Sequence, residues 1–395
     1  MNILVLTGQL HPVCNNNTNM ICKLLAALRH DHAVHLAAPV FGEPAALLPE
    51  RMHGCCVHWI MDGRKDPVRK FIYPALAKIM DPNGYSDFIQ AMLIARRLKE
   101  IRKEYHYDMV ISTMETFPSA CAALLLPKQV RKVLYIMDPP ACICNPASET
   151  SYRHRMLPKI LAGHDLILTT PFIRRALDDR GYGRFDHKIA EVGFPMIEPH
   201  TYQPTSDDIV MDKTKINLLF CGWLYSDIRS PKYFLDIAAR LDERFCIYFM
   251  GKECDKLRER FSFETRAQVI TLPQQPYQVA LNAMADADIL INIGNSVPVH
   301  MPSKTLEYIN TGKPMVNFHK LPDCPTLHYT KRYPLCLNLW EGDPNVTRAA
   351  ADFIDFCTKN KGESVDTASL SAQFPECTPE YIANLILNKI GAHYE

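Results

Sequence analysis

The residues with the clearest chemical potential lie between positions 301 and 314. Pro302 and Ser303 are typical of a helix start, with Ser303 in the N-cap position. The free amides of such a terminus bind phosphate, and the Lys304 ammonium adds a positive charge beside them. Glu307 follows one turn later, where its carboxylate can accept two hydrogen bonds from a ribose diol. The same residues also fit a capped helix with a surface lysine and glutamate, and their chemistry alone leaves both interpretations open.

Four residues in the N-terminal half form a second set of candidates, because they follow predicted strands. Gly8 comes after the first strand, where a glycine lets the backbone approach a ligand closely. His11, in the same loop, could be a base, a ligand contact or a solvated loop histidine. Asp138 precedes two prolines and could bind a hydroxyl group, act as a base or simply form a turn. Glu115 is a weaker candidate of the same kind.

Short strands that alternate with helices must position these residues. The predicted strands are rich in Ile, Leu and Val and do not alternate with polar residues, which is typical of a parallel sheet covered on both faces. In the N-terminal half they are 1–6, 33–38, 109–112, 132–137, 165–170 and 188–192. After the proline-rich segment 195–214 the pattern restarts, with strands at 215–221, 245–250, 269–272, 288–292 and 314–318.

This organisation predicts an α/β protein of two Rossmann-like domains whose parallel sheets face a central cleft. The predicted N-terminal domain is 1–197, the linker is 198–214 and the C-terminal domain is 215–378. A last helix within 379–395 could cross back to the N-terminal domain. Ligands are expected in the cleft, at the carboxyl ends of the strands.

The composition excludes several other classes of protein. The chain has 395 residues, of which 47% are hydrophobic and 22% charged, and its net charge is +1, so neither long disorder nor nucleic-acid binding is favoured. The 14 cysteines show no CxxC spacing and are expected to be reduced, buried thiols. No signal peptide and no apolar run of about 18 residues is present, which predicts a cytoplasmic protein.

A basic stretch at 64–103 adds a possible membrane contact. It carries ten Lys or Arg and four Asp or Glu, and Ile94, Leu98 and Ile101 follow helical spacing within it. Such a basic amphipathic helix suits the anionic inner face of a membrane. A solvated helix face is the alternative interpretation.

The segment 301–314 resembles the C-terminal-domain signature of GT-B glycosyltransferases, especially their GT4-like retaining branch. That signature reads Pro-Ser-Lys-hydrophobic-x-Glu-Tyr, then a small turn and Gly-Lys-Pro. Three other segments resemble the same family in the same order along the chain. They are 163–167 in the N-terminal half, 220–231 after the linker and 285–290 before the signature. The resemblance therefore covers nearly the whole chain.

The resemblance implies roles for particular residues around a nucleotide-sugar. Glu307 would hold the ribose, and Lys304 with the amides of Ser303, Lys304 and Thr305 would hold the diphosphate. Further contacts would come from loops in both halves of the chain. They are the glycines Gly8 and Gly222, a second cation from Arg229 or Lys232, Leu272 and Pro273 near the base, and the catalytic candidates Asp138, His11 and Arg229.

Two departures from the family pattern concern the sugar-facing contacts. The family often has an earlier glutamate where this chain has Val299. Its usual Arg–Lys pair after the glycine is also altered, because only Arg229-Ser230-Pro231-Lys232 is present. The expected nucleotide contacts remain.

The resemblance also bears on metal use. Asp286-Ala287-Asp288 matches the Asp-x-Asp motif of metal-dependent GT-A transferases, but it falls between a predicted helix and strand, and we reject it as a metal site. GT-B enzymes generally neutralise the leaving diphosphate with helix amides and cations. No metal and no cofactor are therefore expected.

The predicted function is transfer of a sugar from a nucleotide-sugar, a UDP-sugar by preference, to an unknown acceptor, with retention at the anomeric carbon. Cell-envelope or other glycan synthesis would suit it. One alternative is an inverting transferase that uses Asp138 or His11, or a nucleotide-sugar epimerase. Another is a non-catalytic binding protein, which Val299 favours and which the pair Lys304 and Glu307 disfavours.

Overall fold

A computed structural model describes residues 1–8, 16–39, 54–60, 85–114, 116–144, 152–199, 203–224 and 228–391. The chain divides into two compact units. The first comprises Met1–Met196 with Glu376–Glu395, and the second comprises Ile197–Pro375. The second unit therefore takes in the proline-rich segment 198–214, and the first takes in the last helix of the chain.

The first unit contains a seven-stranded parallel sheet in the order β3-β2-β1-β4-β5-β6-β7. Its strands are β1 (Asn2–Leu6), β2 (Ala33–Pro39), β3 (Cys56–Ile60), β4 (Met109–Thr113), β5 (Arg131–Ile136), β6 (Leu166–Thr169) and β7 (Ile189–Glu191). Strand β3 was not expected from the sequence. It lies at the sheet edge and is only half-buried, so it lacks the continuous apolar run of a central strand.

Helices cover the sheet of the first unit. They are α1 (Asn16–Leu28), α2 (Tyr85–Glu104), α3 (Phe117–Leu124), α4 (Ala141–Cys144), α5 (Tyr152–Gly163) and α6 (Pro171–Asp179). Ile94, Leu98 and Ile101 of α2 are buried, as their helical spacing predicts. Helix α1 begins at Asn16, in the segment that follows β1.

The second unit contains a six-stranded parallel sheet in the order β10-β9-β8-β11-β12-β13. Its strands are β8 (Ile216–Cys221), β9 (Phe245–Met250), β10 (Gln268–Leu272), β11 (Ile289–Ile293), β12 (Met315–His319) and β13 (Cys336–Trp340). Its core holds an aromatic cluster of Phe234, Phe249, Phe318 and Phe353, with ring centroids 5.3–6.2 Å apart along the chain of contacts.

The helices that follow in the chain complete the architecture. They are α7 (Lys232–Ala238), α8 (Leu257–Arg260), α9 (Tyr277–Asp286), α10 (Lys304–Asn310), α11 (Leu327–Thr330), α12 (Val346–Asn360), α13 (Thr367–Gln373) and α14 (Pro379–Gly391). Helix α14 packs against α1 within the first unit. The whole confirms the predicted α/β architecture of two parallel sheets covered by helices.

The strand order of each sheet fixes where a ligand can bind. In the second unit the chain builds outward from β8 through β9 to β10, and then returns to build β11, β12 and β13 on the other side. The loops after β8 and β11 therefore diverge, which opens a crevice at the carboxyl ends of these two strands. The corresponding point in the first unit lies between β1 and β4.

Candidate site at the carboxyl edge of the second sheet

Gly222 follows β8 directly and lies at this crevice. Its amide donates to the Met250 carbonyl oxygen over 2.9 Å. Gly251, after the neighbouring strand β9, has φ +133°, and a Cβ there would lie 2.0 Å from the Gly222 carbonyl oxygen. Only glycine fits at 251, because the two strand ends approach so closely.

Arg229 lies next to Gly222 and is held by a buried amide. Its Nε and Nη2 donate to Oδ1 of Asn295 over 3.1 and 2.9 Å. Asn295 is 1% exposed, and its Nδ2 lies 2.6 Å from Nδ1 of His300. The guanidinium is therefore fixed, with Nη1 3.7 Å from the position of a Cβ on Gly222. Asn295 and His300 were missed from the sequence, although both follow a predicted strand end.

Lys304 and Glu307 form an ion pair one turn apart on α10. Their side chains are 16% and 5% exposed. Burial alone would lower the pKa of the Lys304 ammonium, but the adjacent Glu307 carboxylate outweighs it and raises that pKa. Oε1 of Glu307 is buried and has no hydrogen-bond partner among the described residues. A buried carboxylate oxygen without a partner is costly, and a bound hydroxyl group would remove that cost.

Tyr308 fastens α10 to the end of β8. Its hydroxyl donates to the Cys221 carbonyl oxygen over 3.0 Å and accepts from the Cys221 amide over 2.8 Å. At the other end of the helix, Gly312 has φ +71°, and a Cβ there would lie 2.1 Å from the Val365 carbonyl oxygen. The signature residues Tyr308 and Gly312 thus set the position of Glu307.

The start of α10 differs from the sequence prediction in two respects. Ser303 precedes the helix but makes no side-chain capping hydrogen bond, because its backbone is already helical with φ −59° and ψ −27°. The Thr305 amide, one of the three expected to hold a diphosphate, donates to the Pro302 carbonyl oxygen over 3.0 Å. The Thr305 amide is therefore already used within the chain, which makes it a weaker candidate for a phosphate contact.

Lys320 brings a further cation that was missed from the sequence. It follows β12, and its Nζ donates to the Ile228 carbonyl oxygen over 3.4 Å, one residue before Arg229. Glu341 follows β13, and burial raises the pKa of its carboxyl to about 7, against the opposing effect of Lys320. Lys320 follows a strand that the sequence predicted, so the rule that selected Asp138 would also have found it. Glu341 follows β13, which the sequence did not predict, so that rule could not have found it.

The remaining donor-side candidates lie on the same unit but outside this cluster of contacts. Lys232, at the start of α7, is exposed and pairs with Asp236 over 2.9 Å. Leu272 ends β10, two strands from β8, and its carbonyl oxygen accepts from the Gly251 amide over 3.1 Å. Pro273 follows it and is exposed.

Comparisons with known proteins connect this geometry to a fold. No protein-family model matches the sequence, and no curated protein sequence is significantly similar to it. Solved structures do match. A sucrose-phosphate synthase from Thermosynechococcus elongatus has a TM-score of 0.65 at 12% identity, over 100% of this chain and 99% of that chain.

Two further matches were solved with ligands. Anabaena Alr3699/HepE, in complex with UDP and glucose, has a TM-score of 0.59 at 14% identity, over 100% of this chain and 99% of that chain. A UDP-GlcNAc 2-epimerase from Neisseria meningitidis, bound to UDP-GlcNAc, has a TM-score of 0.58 at 10% identity, over 99% of both chains. This chain has the GT-B fold.

The first unit of the GT-B fold contributes fewer described candidates. Gly8 is buried beyond the end of β1. Asp138, after β5, accepts a hydrogen bond from Nδ2 of Asn17 at the start of α1 over 2.7 Å. Both residues therefore lie at the carboxyl edge of the first sheet. His11 and Glu115 lie outside the described residues.

The Asp286-Ala287-Asp288 triplet lies at the amino ends of the strands of the second sheet, opposite to their carboxyl ends. Asp286 ends α9 and pairs with Lys213. Asp288 precedes β11 and accepts from the Asn217 amide over 2.8 Å. Since the amino end of β11 is remote from its carboxyl end, these carboxylates do not face the crevice.

Proposed function

We propose that the protein transfers a sugar from a UDP-sugar to an acceptor that its first unit binds. The observation that carries this proposal is Glu307, whose buried Oε1 has no hydrogen-bond partner in the described chain, beside Lys304 and near Arg229. A carboxylate next to two cations at the switch point of a parallel sheet suits a ligand that has both a diol and a diphosphate.

Binding would rearrange the ion pair on α10. Glu307 is almost fully covered, so a ribose diol reaches it when the Lys304 side chain turns away. The diol then takes over as partner of the carboxylate, and the freed ammonium is available to the diphosphate. After this exchange the carboxylate accepts hydrogen bonds from the neutral diol and the ammonium is paired with the diphosphate, so neither charge is left without a partner.

The leaving diphosphate would be stabilised by cations of the protein in place of a metal ion. Arg229 is held by Asn295, and Lys304 and Lys320 lie on the elements beside it. Fixed cations that need no reorganisation during the reaction stabilise developing negative charge well, and positioning supplies the rest of the rate. We therefore propose turnover without metal or cofactor.

We favour retention, because the departing phosphate can then assist deprotonation of the acceptor and no protein base is needed. Asp138 is the alternative base for an inverting reaction, with His11 as a second one. A nucleotide-sugar epimerase is the rival activity on this fold, as one of the matched structures illustrates. The anomeric configuration of the product separates retention from inversion, and an epimerase would transfer no sugar to an acceptor.

The acceptor we propose is lipid-linked and lies at an anionic membrane, as in envelope glycan synthesis. Arg96, Lys99 and Lys103 of α2 line a surface groove of about 450 Å³ together with Met92 and Leu125. Met92 is 48% and Leu125 39% exposed. Cations around exposed apolar side chains suit a peripheral contact with lipid. No helix in the described parts of the chain is both long and apolar enough to cross a bilayer.

The decisive experiment is a panel of nucleotide-sugars, scored by thermal shift and by slow donor hydrolysis. UDP and one UDP-sugar should raise the melting temperature of the parent protein. Glu307→Gln should abolish that shift, whereas Glu363→Gln, at an exposed glutamate after α12, should retain it. Absence of any shift with the whole panel, or an equal shift in Glu307→Gln, would contradict the proposal.

A further inference from the structure

Three side chains that can bind a metal ion lie close together on the two outermost strands at one side of the first sheet, β2 and β3. The proposed transferase site does not use these strands. His35 lies on β2, and Cys56 and His58 lie on the edge strand β3. The strands are parallel, with His35 paired to Cys56 in register. Since alternate residues of a strand share a face, His35, Cys56 and His58 all project from the same face of the sheet.

The ligand atoms of the three side chains converge. Nδ1 of His35 lies 2.8 Å from Nε2 of His58, and Sγ of Cys56 lies 3.8 Å from the same Nε2. All three atoms lie within 4.8 Å of one another. Among the residues that the structure describes, no other group of three His, Cys, Asp or Glu side chains is as close.

We propose that His35, Cys56 and His58 bind a zinc ion. Two imidazole nitrogens and one thiolate are a donor set that this borderline-soft cation prefers. Tetrahedral coordination, with bonds of about 2.0–2.1 Å to nitrogen and about 2.3 Å to sulfur, places the ligand atoms about 3.3–3.6 Å apart. The present separations of 2.8 and 3.8 Å lie on either side of that range, so small side-chain rotations make room for the ion.

Three protein ligands leave the fourth position of the ion to water. On binding, the Cys56 thiol releases its proton to solvent as the sulfur–zinc bond forms. The proton between His35 Nδ1 and His58 Nε2 moves to another ring nitrogen of the pair, so both imidazoles remain neutral. One proton is therefore released for each ion bound at a pH where the thiol is protonated.

The surroundings hold one ligand in place and leave another accessible. The Tyr105 ring stacks on the His35 ring, with centroids 3.5 Å apart and an interplanar angle of 9°. The Tyr105 hydroxyl donates to the Ala33 carbonyl oxygen over 2.8 Å, which fixes the phenol and so restricts the imidazole beneath it. Cys56 is exposed, so an ion can reach the site from solvent.

The test is zinc titration of the full chain, stripped with a chelator, against a chromophoric competitor. One equivalent should bind to the parent protein. Cys56→Ser and His58→Asn should each weaken that affinity by about 100-fold or more, because each removes a ligand. Cys55→Ser is the matched control: the neighbouring thiol is on the other face, 3.7 Å from the Val34 carbonyl oxygen, and its loss should leave affinity unchanged.

Cobalt supplies a second readout that does not depend on the histidine variants folding. Binding of Co²⁺ to the parent should produce a thiolate-to-metal charge-transfer band, and Cys56→Ser should lose it while Cys55→Ser keeps it. Cys56 is exposed, so its replacement should leave the melting temperature of the apoprotein unchanged. The proposal is overturned if Cys56→Ser binds zinc as tightly as the parent, or if the parent binds no equivalent. In that case the two histidines form only a hydrogen-bonded pair.

Discussion

The carboxyl ends of the two sheets differ in the side-chain contacts that the structure describes. At the carboxyl end of the second sheet, polar side chains contact one another, as Arg229 does with Asn295 and Lys304 with Glu307. At the carboxyl end of the first sheet, Asn17 donates a hydrogen bond to Asp138, and several of the loop residues lie outside the described parts of the chain. The contacts at the second sheet suit the single nucleotide-sugar that we propose for it.

The two kinds of binding site leave different traces in the amino-acid sequence. A ligand that is common to many enzymes requires a fixed set of charges, and a fixed set leaves a compact motif such as 301–314. An acceptor that differs between enzymes leaves no such motif. Substitutions in the first unit should therefore change binding to the acceptor or to a membrane, whereas substitutions in the second unit should change the affinity for UDP.

The largest expected effect concerns the membrane contact that we propose for the first unit. Replacing Arg96, Lys99 and Lys103 together with Gln should weaken binding to anionic vesicles by about 100-fold at low salt, since each cation near such a surface contributes about 1 kcal/mol. UDP affinity should not change. Co-sedimentation with vesicles of varied anionic lipid content measures the first effect, and calorimetry measures the second.

The control for this triple variant is replacement of Lys359, Lys361 and Lys331 in the second unit, which alters net charge equally and should preserve vesicle binding. Equal, negligible binding of the parent protein to neutral and anionic vesicles would leave α2 as a solvated helix face. It would also redirect the acceptor proposal towards a soluble molecule.

The second prediction concerns Glu307. Glu307→Gln should weaken UDP binding by about 1.5–3 kcal/mol, the range for hydrogen bonds to a charged group. Isothermal titration calorimetry measures it, with Glu363→Gln as control and the melting temperature as a check on folding. Unchanged UDP affinity in a folded Glu307→Gln protein would show that the nucleotide does not bind Glu307 at the carboxyl end of the second sheet. The proposed difference between the two sheets would then be wrong.

The third prediction is a pH dependence of stability from Glu341. Burial raises the pKa of this carboxyl to about 7 in the folded protein, above its ordinary value of 4.5. The folded state then binds more protons than the unfolded state between these values, so the free energy of unfolding falls as pH rises from about 5 to 8. The loss should be about 2–3 kcal/mol, since each pKa unit corresponds to about 1.4 kcal/mol.

Glu341→Gln should flatten this part of the pH profile, because the amide does not ionise. Urea unfolding at pH 5, 6.5 and 8 measures it for both proteins. If the free energy of unfolding depends on pH with the same slope in parent and variant, the Glu341 carboxyl is exposed to water and its pKa is not raised by burial.

The sequence predicted the central strands, and it predicted that Glu307 lies about one turn into a helix, for a physical reason. Buried parallel strands need continuous apolar runs, and the signature 301–314 is contiguous in the chain. Strands β3 and β13 were missed, and each lies at one edge of its sheet and is only partly buried. The opposite edge strands β7 and β10 are also partly buried but were predicted, so partial burial weakens the hydrophobic pattern of a strand without always hiding it.

The missed contacts are those that join distant parts of the chain. Asn295 is separated from Arg229 by 66 residues, so no local pattern links them. The group of His35, Cys56 and His58 likewise lacks the spacing of a zinc motif, because its ligands come from two strands. Such groups become visible only once the strand register is known.

The fourth prediction separates metal binding from catalysis. Treatment with EDTA should lower the melting temperature of the zinc-loaded protein, because an ion that binds the folded state stabilises it. Turnover at a temperature far below melting should survive, because we propose that the cations Arg229, Lys304 and Lys320 neutralise the diphosphate in place of a metal ion. If EDTA abolishes turnover and manganese restores it, the metal-free mechanism is wrong. The proposal that protein cations alone neutralise the diphosphate at the second sheet would then be wrong as well.

The smallest expected effect comes from Asp138. If the reaction proceeds with retention, Asp138→Asn should change UDP affinity by less than about 0.5 kcal/mol, since Asp138 belongs to the first unit and the residues proposed to hold the nucleotide belong to the second. Its turnover should fall only modestly, because the departing phosphate serves as the base. A protein base contributes about 100-fold to 10,000-fold to a rate, so a loss of that size with unchanged UDP affinity would assign Asp138 as the base of an inverting reaction.

Asn17→Ala is the matched control, because it removes the hydrogen bond and leaves the Asp138 carboxylate. Asn17→Asp is not suitable, because it would place two carboxylates together. Equal kinetics for Asn17→Ala and Asp138→Asn would mean that the hydrogen bond between Asn17 and Asp138 positions α1. Asp138 would then have a structural role and would not take part in proton transfer.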